Sequence, residues 1–326
     1  MKKIRWGIVG PGEIANKFAV AIKNVDCAEL VAVASRTEEK GRAFAQKYNI
    51  KNVFCGYEKM AQSDIVDAVY ISTPHPFHLP CAQLFINAKK HVLCEKPVCI
   101  NASQAQKLKE LAEENNVFLM EAMWTRFLPA VKEIDKIIKS GEIGEVLEVS
   151  ADFCYRSSPE IEEKLFKNDM AGGSLLDVGV YGLHFADMFL EGEPQEICAM
   201  SHVKDGVDVR TNILVKYERG TASISSAIDL QKPEAAYIYG TKGYIYIPAF
   251  YGATEFTLNI GDVQRLVNVP CIGDGFEEEI IEACECIEQG KTESGILPVS
   301  VSIKMLKLMD EARAQTGVRY PFEGEK

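Results

Sequence analysis

The stretch from Ile4 to Ala21 constrains the fold more than any other part of this chain. Ile4-Arg5-Trp6-Gly7-Ile8-Val9 reads as a short buried strand, Gly10-Pro11-Gly12 as a turn, and Glu13 to Ala21 as the opening of a helix. A strand that turns this abruptly into a helix needs a residue free to take unusual backbone angles, which Gly10 supplies. Glycine at 12 lets the backbone approach a pyrophosphate, and a small residue at 15 lets the helix lie close on the strand. Pro11 has no N–H, so phosphates would be held by the amides of its neighbours, Glu13 and Ile14 among them, at the positive end of the helix. The spacing Gly7, Gly10, Gly12, Ala15 therefore predicts a dinucleotide-binding βα turn, the plain alternative being a tight turn and nothing more.

From residue 3 to about 121 the pattern alternates. Leu30–Ala34 reads as a strand and Glu38–Tyr48 as a helix; the run Ile65–Ile71, closed by Ser72-Thr73-Pro74, holds the next strand. Phe77–Ala88 and Ala102–Asn115 read as helices, His91–Cys94 and Val117–Met120 as strands. Such alternation predicts a doubly wound parallel Rossmann sheet, α/β in class, with ligands at the carboxyl ends of its strands. Beyond Met120 the pattern changes. Helical signals at Phe127–Ser140, Glu160–Asn168 and Ser174–Leu190 surround a long strand at Glu145–Tyr155. Seven strand-like segments then follow from Glu196 to Val269, divided by turns such as Lys204-Asp205-Gly206, and helices Phe276–Gln289 and Val299–Thr316 close the chain. This predicts an α+β domain with an open, mostly antiparallel sheet and helices on one face. With 326 residues, two domains are expected, 1–122 and 123–326.

A net charge of −11 excludes the broad basic surface that nucleic acid or an anionic membrane requires. No apolar run reaches membrane-spanning length, and Lys2-Lys3 is followed by a glycine-broken strand rather than a signal-peptide core. The ten cysteines form no Cys-x-x-Cys pair and lie mostly in apolar stretches, as in a reduced, cytoplasmic protein. Pro74 and Pro76 put His75 and His78 in a turn, so no metal site is expected there.

The tip of the second strand bears on cofactor choice. A NAD-selective fold places an acid there for the ribose 2′-hydroxyl. This chain has Ser35-Arg36-Thr37, groups suited to the 2′-phosphate of NADP, while the alternative leaves Glu38 or Glu39 to take the ribose of NAD. Two later motifs carry candidate chemistry. Cys94-Glu95-Lys96-Pro97 follows a strand and puts Lys96 at the sheet edge, where a nicotinamide would lie. In Gly172-Gly173-Ser174-Leu175-Leu176-Asp177-Val178-Gly179-Val180-Tyr181-Gly182-Leu183-His184, Ser174 is a plausible cap. Asp177, Tyr181 and His184 fall on one helical stripe. A hydride-transfer enzyme needs a group to take the alcohol proton, and Tyr181 beside Lys96 suits that task; the bland alternative is a pair of half-buried residues and an acid at a turn.

Taken together, Gly10-x-Gly12-x-x-Ala15, Thr73-Pro74, Glu95-Lys96-Pro97 and Gly172-Gly173…Asp177-x-Gly179-x-Tyr181 resemble the Gfo/Idh/MocA oxidoreductase family over essentially the whole chain. Glu121-Ala122-Met123-Trp124-Thr125-Arg126-Phe127-Leu128-Pro129 resembles the branch containing dimeric dihydrodiol dehydrogenase and NADP-dependent D-xylose dehydrogenase. The resemblance implies Lys96 and Tyr181 as catalytic pair and Asp177 holding substrate hydroxyls. It implies Trp124, Arg126 and Phe127 lining a cleft between the domains; the family supplies no role for His184, which the helical stripe itself offers to the cleft as a further hydrogen-bonding, substrate-binding group. Gly10 to Ile14, Ser35 to Thr37, Thr73, Pro74, His78, Glu95 and Lys96 would hold NADP, or alternatively NAD. It also implies a homodimer through the C-terminal sheet. Where the inositol dehydrogenase branch has histidine this chain has Tyr181, which points away from inositol toward another sugar, polyol or cyclic diol. Two other classes share the fold: a dinucleotide-binding regulator without turnover, and a hydrolase or epimerase with tightly held NAD.

Overall fold

The computed structural model describes residues 3–158 and 164–324, and the chain divides into two compact units. The first comprises Met1–Trp124 and Ile272–Lys304, the second Thr125–Cys271 and Met305–Lys326. The single cut expected at 122/123 is thus replaced by a chain that returns. Helix Phe276–Glu288 belongs with the nucleotide-type unit, a return that a reading in chain order does not reveal.

In the first unit, strands β1 (Ile4–Val9), β2 (Ala28–Ser35), β3 (Asn52–Cys55), β4 (Ala68–Ile71), β5 (His91–Glu95) and β6 (Leu119–Ala122) form a parallel sheet ordered β3-β2-β1-β4-β5-β6. Among helices, α1 (Glu13–Ala21), α2 (Glu38–Tyr48), α3 (Tyr57–Ala61), α4 (His78–Asn87) and α5 (Ala102–Asn115) alternate with these strands. Strand β3 is absent from the reading above: four residues at a sheet edge, half-buried, leave no alternation to detect. The order reverses between β1 and β4, with Val9 opposite Ile71, so the ends of those strands form the crevice where such sheets take ligands. Behind it Trp6, Phe18 and Tyr70 pack as a buried aromatic stack, Phe18 and Tyr70 with centroids 4.0 Å apart.

The second unit holds α6 (Pro129–Lys139), α7 (Val180–Phe189) and an eight-stranded sheet. Its strands are β7 (Val146–Cys154), β8 (Glu196–Lys204), β9 (Val207–Lys216), β10 (Thr221–Ala227), β11 (Ala235–Gly240), β12 (Gly243–Pro248), β13 (Glu255–Ile260) and β14 (Val263–Asn268), ordered β14-β13-β12-β11-β7-β10-β9-β8. Its pairings are antiparallel except β7 with β10. Alternating Val149, Ala151, Ile224, Ile238, Ile245 and Ile247 are buried on the face that α7 covers, and α7 lies close. A Cβ at Gly182 would come within 2.6 Å of Ile224 Cγ2. Of the helical insert expected at Glu160–Asn168, residues 160–163 lie outside the described residues; Asn168–Met170 forms a single 3₁₀ turn.

On the opposite face the register sets Cys198, Leu214, Ser223, Ser150, Tyr237, Tyr246, Thr257 and Leu266 in one row across the sheet. Leu214 and Leu266 are each 58% exposed and Met200 73% exposed, beside the packed rings of Tyr237, Tyr239, Tyr244 and Tyr246. The sheet therefore keeps an apolar face toward solvent.

Candidate functional site

The nucleotide end of the first unit is built from glycine turn, strand tips and one helix start. Gly10 has φ +85°, and a Cβ there would meet Thr73 Cγ2 at 3.0 Å and the Ser72 carbonyl oxygen at 3.4 Å; glycine is required by conformation and space together. Ser72 Oγ donates to Gly10 O at 2.8 Å, fastening the tip of β1 to that of β4. A Cβ at Gly12 would meet protein atoms only at 3.8 Å and beyond. Space over Gly12 is thus left open by the protein, as a pyrophosphate approaching the backbone needs. Gly12 caps α1 with no side-chain acceptor, so the first-turn N–H groups of Glu13 and Ile14 remain for an anion. These observations fit a dinucleotide held by Gly10, Gly12, Glu13 and Ile14, with Pro11 half-buried in the turn.

At the tip of β2, Ser35 is buried and its Oγ accepts from Thr37 N at 3.4 Å, while Arg36 and Thr37 are exposed. The Arg36 guanidinium lies over the Phe77 ring, 5.8 Å from its centroid. Glu38, the alternative ribose partner, accepts from Arg42 Nε at 2.9 Å one turn along α2.

Behind the strand ends lies a layer of buried polar groups. Tyr70 OH donates to Glu95, and Glu95 Oε2 accepts from the backbone N–H of Lys96 at 3.1 Å. Glu121 Oε1 accepts from Val98 N at 3.0 Å. His78, expected to touch cofactor, is fully buried with its ring nitrogens 2.8 Å from Pro97 O and 2.7 Å from Thr73 O. It ties the Thr73-Pro74 turn to the Lys96-Pro97 turn, and burial pushes its pKa down. Glu95 and His78 thus shape the site from within the protein. Tyr70 and Glu121 were invisible as polar partners in sequence because each sits in an apolar strand pattern.

One buried group has no such partner. Glu279 on α8 (Phe276–Glu288) is 0% exposed, and neither carboxylate oxygen has a hydrogen-bond partner among the described residues. Burial first, then the nearby Glu95 charge, push its pKa well above the usual glutamate value. The folded chain therefore holds this proton at pH values where the unfolded chain has released it, so stability falls as pH rises above the ordinary glutamate range. Glu279→Gln removes that titration. Its unfolding free energy relative to wild type, from urea titrations, is expected to climb as pH rises above the ordinary glutamate range, with a limiting slope of about 1.4 kcal/mol per pH unit. Parallel pH curves for the two proteins would refute this assignment.

In the second unit, residues Leu175–Gly179 form a wide π-type helical turn leading into α7. This turn changes the expected stripe. Asp177, half-buried, accepts from Tyr155 OH through Oδ2 at 2.6 Å. Tyr181, 8% exposed, rests its ring on Phe153 (centroids 5.3 Å) and edge-on to Tyr251 (6.3 Å), with Phe153 and Tyr251 themselves stacked at 4.3 Å. His184 turns instead into the core: Arg126 Nε donates to His184 Nδ1 at 3.0 Å, and Arg126 Nη2 reaches His184 O at 3.1 Å and Asp187 Oδ2 at 2.9 Å. Phe127 is fully buried. Trp124, assigned to the first unit, stacks on Phe276 at 4.6 Å. The structure thus groups Asp177 and Tyr181 with Tyr155, Phe153 and Tyr251, and engages Arg126 and His184 with one another. Tyr155 and Tyr251 escaped the sequence reading because no spacing links them to the helix.

Comparison with known proteins agrees with this architecture. Residues 4–123 match the oxidoreductase family with NAD-binding Rossmann fold, and residues 131–246 match the GFO/IDH/MocA C-terminal domain. Trans-1,2-dihydrobenzene-1,2-diol dehydrogenase of Mus musculus is 34% identical, with 98% of each chain covered. The enzyme of that name from Danio rerio is 35% identical, with 99% of each covered. A 3-ketoreductase from Actinomadura kijaniata, solved with NADP and TDP-benzene, superposes with TM-score 0.89 at 25% identity, covering 97% of this chain and 98% of that one. The glycine turn at the β1/β4 crevice and the Asp177–Tyr181 segment are therefore parts of an NAD(P)-dependent oxidoreductase, and the chain belongs to the Gfo/Idh/MocA family.

Proposed function

We propose that this enzyme transfers a hydride between NADP and a hydroxyl or carbonyl carbon of a sugar or cyclic diol, with Tyr181 exchanging the hydroxyl proton and Lys96 holding it in place. The observation that carries this reading is the Tyr181 ring on an aromatic floor of Phe153 and Tyr251, on the same helical segment as Asp177, whose carboxylate Tyr155 orients. A flat ring floor suits the face of a sugar or diol ring, and an oriented carboxylate suits its adjacent hydroxyls. When bound, the nicotinamide accepts or supplies the hydride. Lys96, at the end of β5, brings a cation that stabilises a deprotonating phenol or alcohol. Exposed Arg36 over Phe77 suits a 2′-phosphate, and Arg42 engages Glu38, one of the two acids that NAD would use, which favours NADP over NAD. Arg126 and His184, bonded to one another and to Asp187, and the fully buried Phe127 act as supports rather than as substrate contacts. The names of the dihydrodiol dehydrogenase and 3-ketoreductase relatives support the same substrate class.

Nicotinamide absorbance on mixing the protein with NADP or NAD and a panel of aldoses and cyclic diols tests this reading. Turnover with NADP exceeding that with NAD is expected. Tight NADP binding with no turnover on any member would instead make the protein a dinucleotide-binding regulator.

We propose further that the exposed row through Leu214, Tyr237, Tyr246 and Leu266 meets a second copy of the chain, since an apolar face of this extent is rarely left to water. Light scattering is expected to give the mass of two chains, and Leu214→Glu to give one; a monomeric wild type would overturn the assignment. The ten free thiols support a reducing, cytoplasmic setting, checked by cell fractionation.

A further inference from the structure

The helical segment that bears Asp177 and Tyr181 does not cap itself. Ser174, just before it, has helical angles (φ −70°, ψ −31°) and makes no capping bond. Its Oγ is a donor instead, to Asp208 Oδ2 at 2.9 Å. Asp208 Oδ2 accepts also from Leu175 N, the first amide of the turn, at 2.7 Å, and from Thr211 Oγ1 at 2.8 Å. Asp208, at the start of β9 and 1% exposed, thus supplies from another strand the acceptor that a helix start ordinarily takes from the residue preceding it. The second oxygen, Oδ1, lies 2.2 Å from where a Cβ of residue 173 would stand; only glycine, here with φ +118°, admits the carboxylate. Around this anchor Tyr320 OH donates to Gly172 O at 2.8 Å, and Ser226 Oγ lies 3.0 Å from Ser174 Oγ and 3.1 Å from a Cβ at Gly179. The start of the wide turn is therefore held from outside it, and Ser226 packs closely against its other end.

We propose that Asp208 is a positioning residue, whose carboxylate caps the turn Leu175–Gly179 from β9 and thereby sets the direction of Asp177 and Tyr181. The inference rests on the reading of Tyr181 as the proton-exchanging group. It assigns a reason to the paired glycines as well: Gly173 makes room for the Asp208 carboxylate. A buried anion also suits the positive end of a helix, so charge and hydrogen bonding act together.

The test compares Asp208→Ala, which removes the acceptor, with Asp208→Asn, which keeps an acceptor of the same shape. Amide hydrogen exchange over residues 174–181 reads the segment directly and does not depend on turnover. Asp208→Ala is expected to exchange there about tenfold faster than wild type, with protection elsewhere in the unit unchanged. It is expected to lower kcat by about 10²-fold, leave NADP binding unchanged and displace the pH profile of kcat, while Asp208→Asn recovers most of each property. If Asp208→Ala fails to fold, Ser174→Ala, which deletes one donor and leaves the carboxylate, is expected to loosen the same segment to a smaller degree. Wild-type exchange over 174–181 in these variants, or Asn performing no better than Ala, overturns the proposal. An inactive wild type overturns the enzymatic reading instead, and the exchange comparison still decides the role of Asp208.

Discussion

Replacing Tyr181 by phenylalanine is expected to lower kcat by about 10²- to 10⁴-fold, the range that a positioned proton-transfer group contributes. The substitution deletes one oxygen and keeps the ring, so the packing on Phe153 and Tyr251 persists. Its effect should therefore appear in kcat with little change in stability. NADP affinity should hold as well, since the glycine turn, Arg36 and the first turn of α1 are untouched. Lys96→Met is expected to act on the same step: it removes a cation from the end of β5 while the backbone N–H of residue 96 still donates to Glu95. If the two groups serve one proton, the double variant should be scarcely slower than the worse single variant. Losses that multiply would mean that the groups act in separate steps. A Tyr181→Phe enzyme with near-wild-type kcat would remove Tyr181 from the chemistry altogether.

Arg126→Ala is expected to destabilise the protein by about 3–5 kcal/mol, the range found on removing one partner of a buried ion pair. The guanidinium and the Asp187 carboxylate are 6% and 5% exposed and 2.9 Å apart, and Arg126 also donates to the ring and the carbonyl of His184. Because Arg126 Nε is the donor, His184 Nδ1 is an acceptor, and the neutral ring carries its proton on Nε2. Alanine takes away the cation and leaves Asp187 and His184 in the core. Arg126→Met with Asp187→Leu, which removes both charges and keeps volume, should recover much of the loss. Urea unfolding midpoints measure all of these. A variant of unchanged stability but raised KM would return Arg126 to the substrate-contacting role that its place in the sequence implied.

The comparison of Arg126 and Tyr181 shows what chain order conveys. The motif Glu121 to Pro129 placed Trp124, Arg126 and Phe127 together as pocket residues, yet their surroundings separate them: Phe127 lies in the core, Arg126 binds His184 and Asp187, and Trp124 packs on Phe276. Sequence spacing reports which residues are near in the chain, and an arginine on a sequence motif looks the same whether it faces a ligand or a buried carboxylate. The stripe Asp177, Tyr181, His184 assumed a regular helix; the wide turn over Leu175–Gly179 changes the relation of Asp177 to the residues that follow.

What the sequence by itself determined is the part of this protein governed by local physics. The glycine turn after β1, the alternation that makes a parallel sheet, and the strands separated by turn residues all depend on neighbours within a few positions. Tertiary structure alone decided the rest. The edge strand β3 has too few residues to signal itself, helix α8 returns to the first unit across the length of the second, and Tyr155, Tyr251 and Asp208 reach the Tyr181 segment from distant strands and loops. A capping oxygen 33 positions from the amide it serves leaves no periodic trace in sequence, because its identity depends on which strand the fold lays beside the turn.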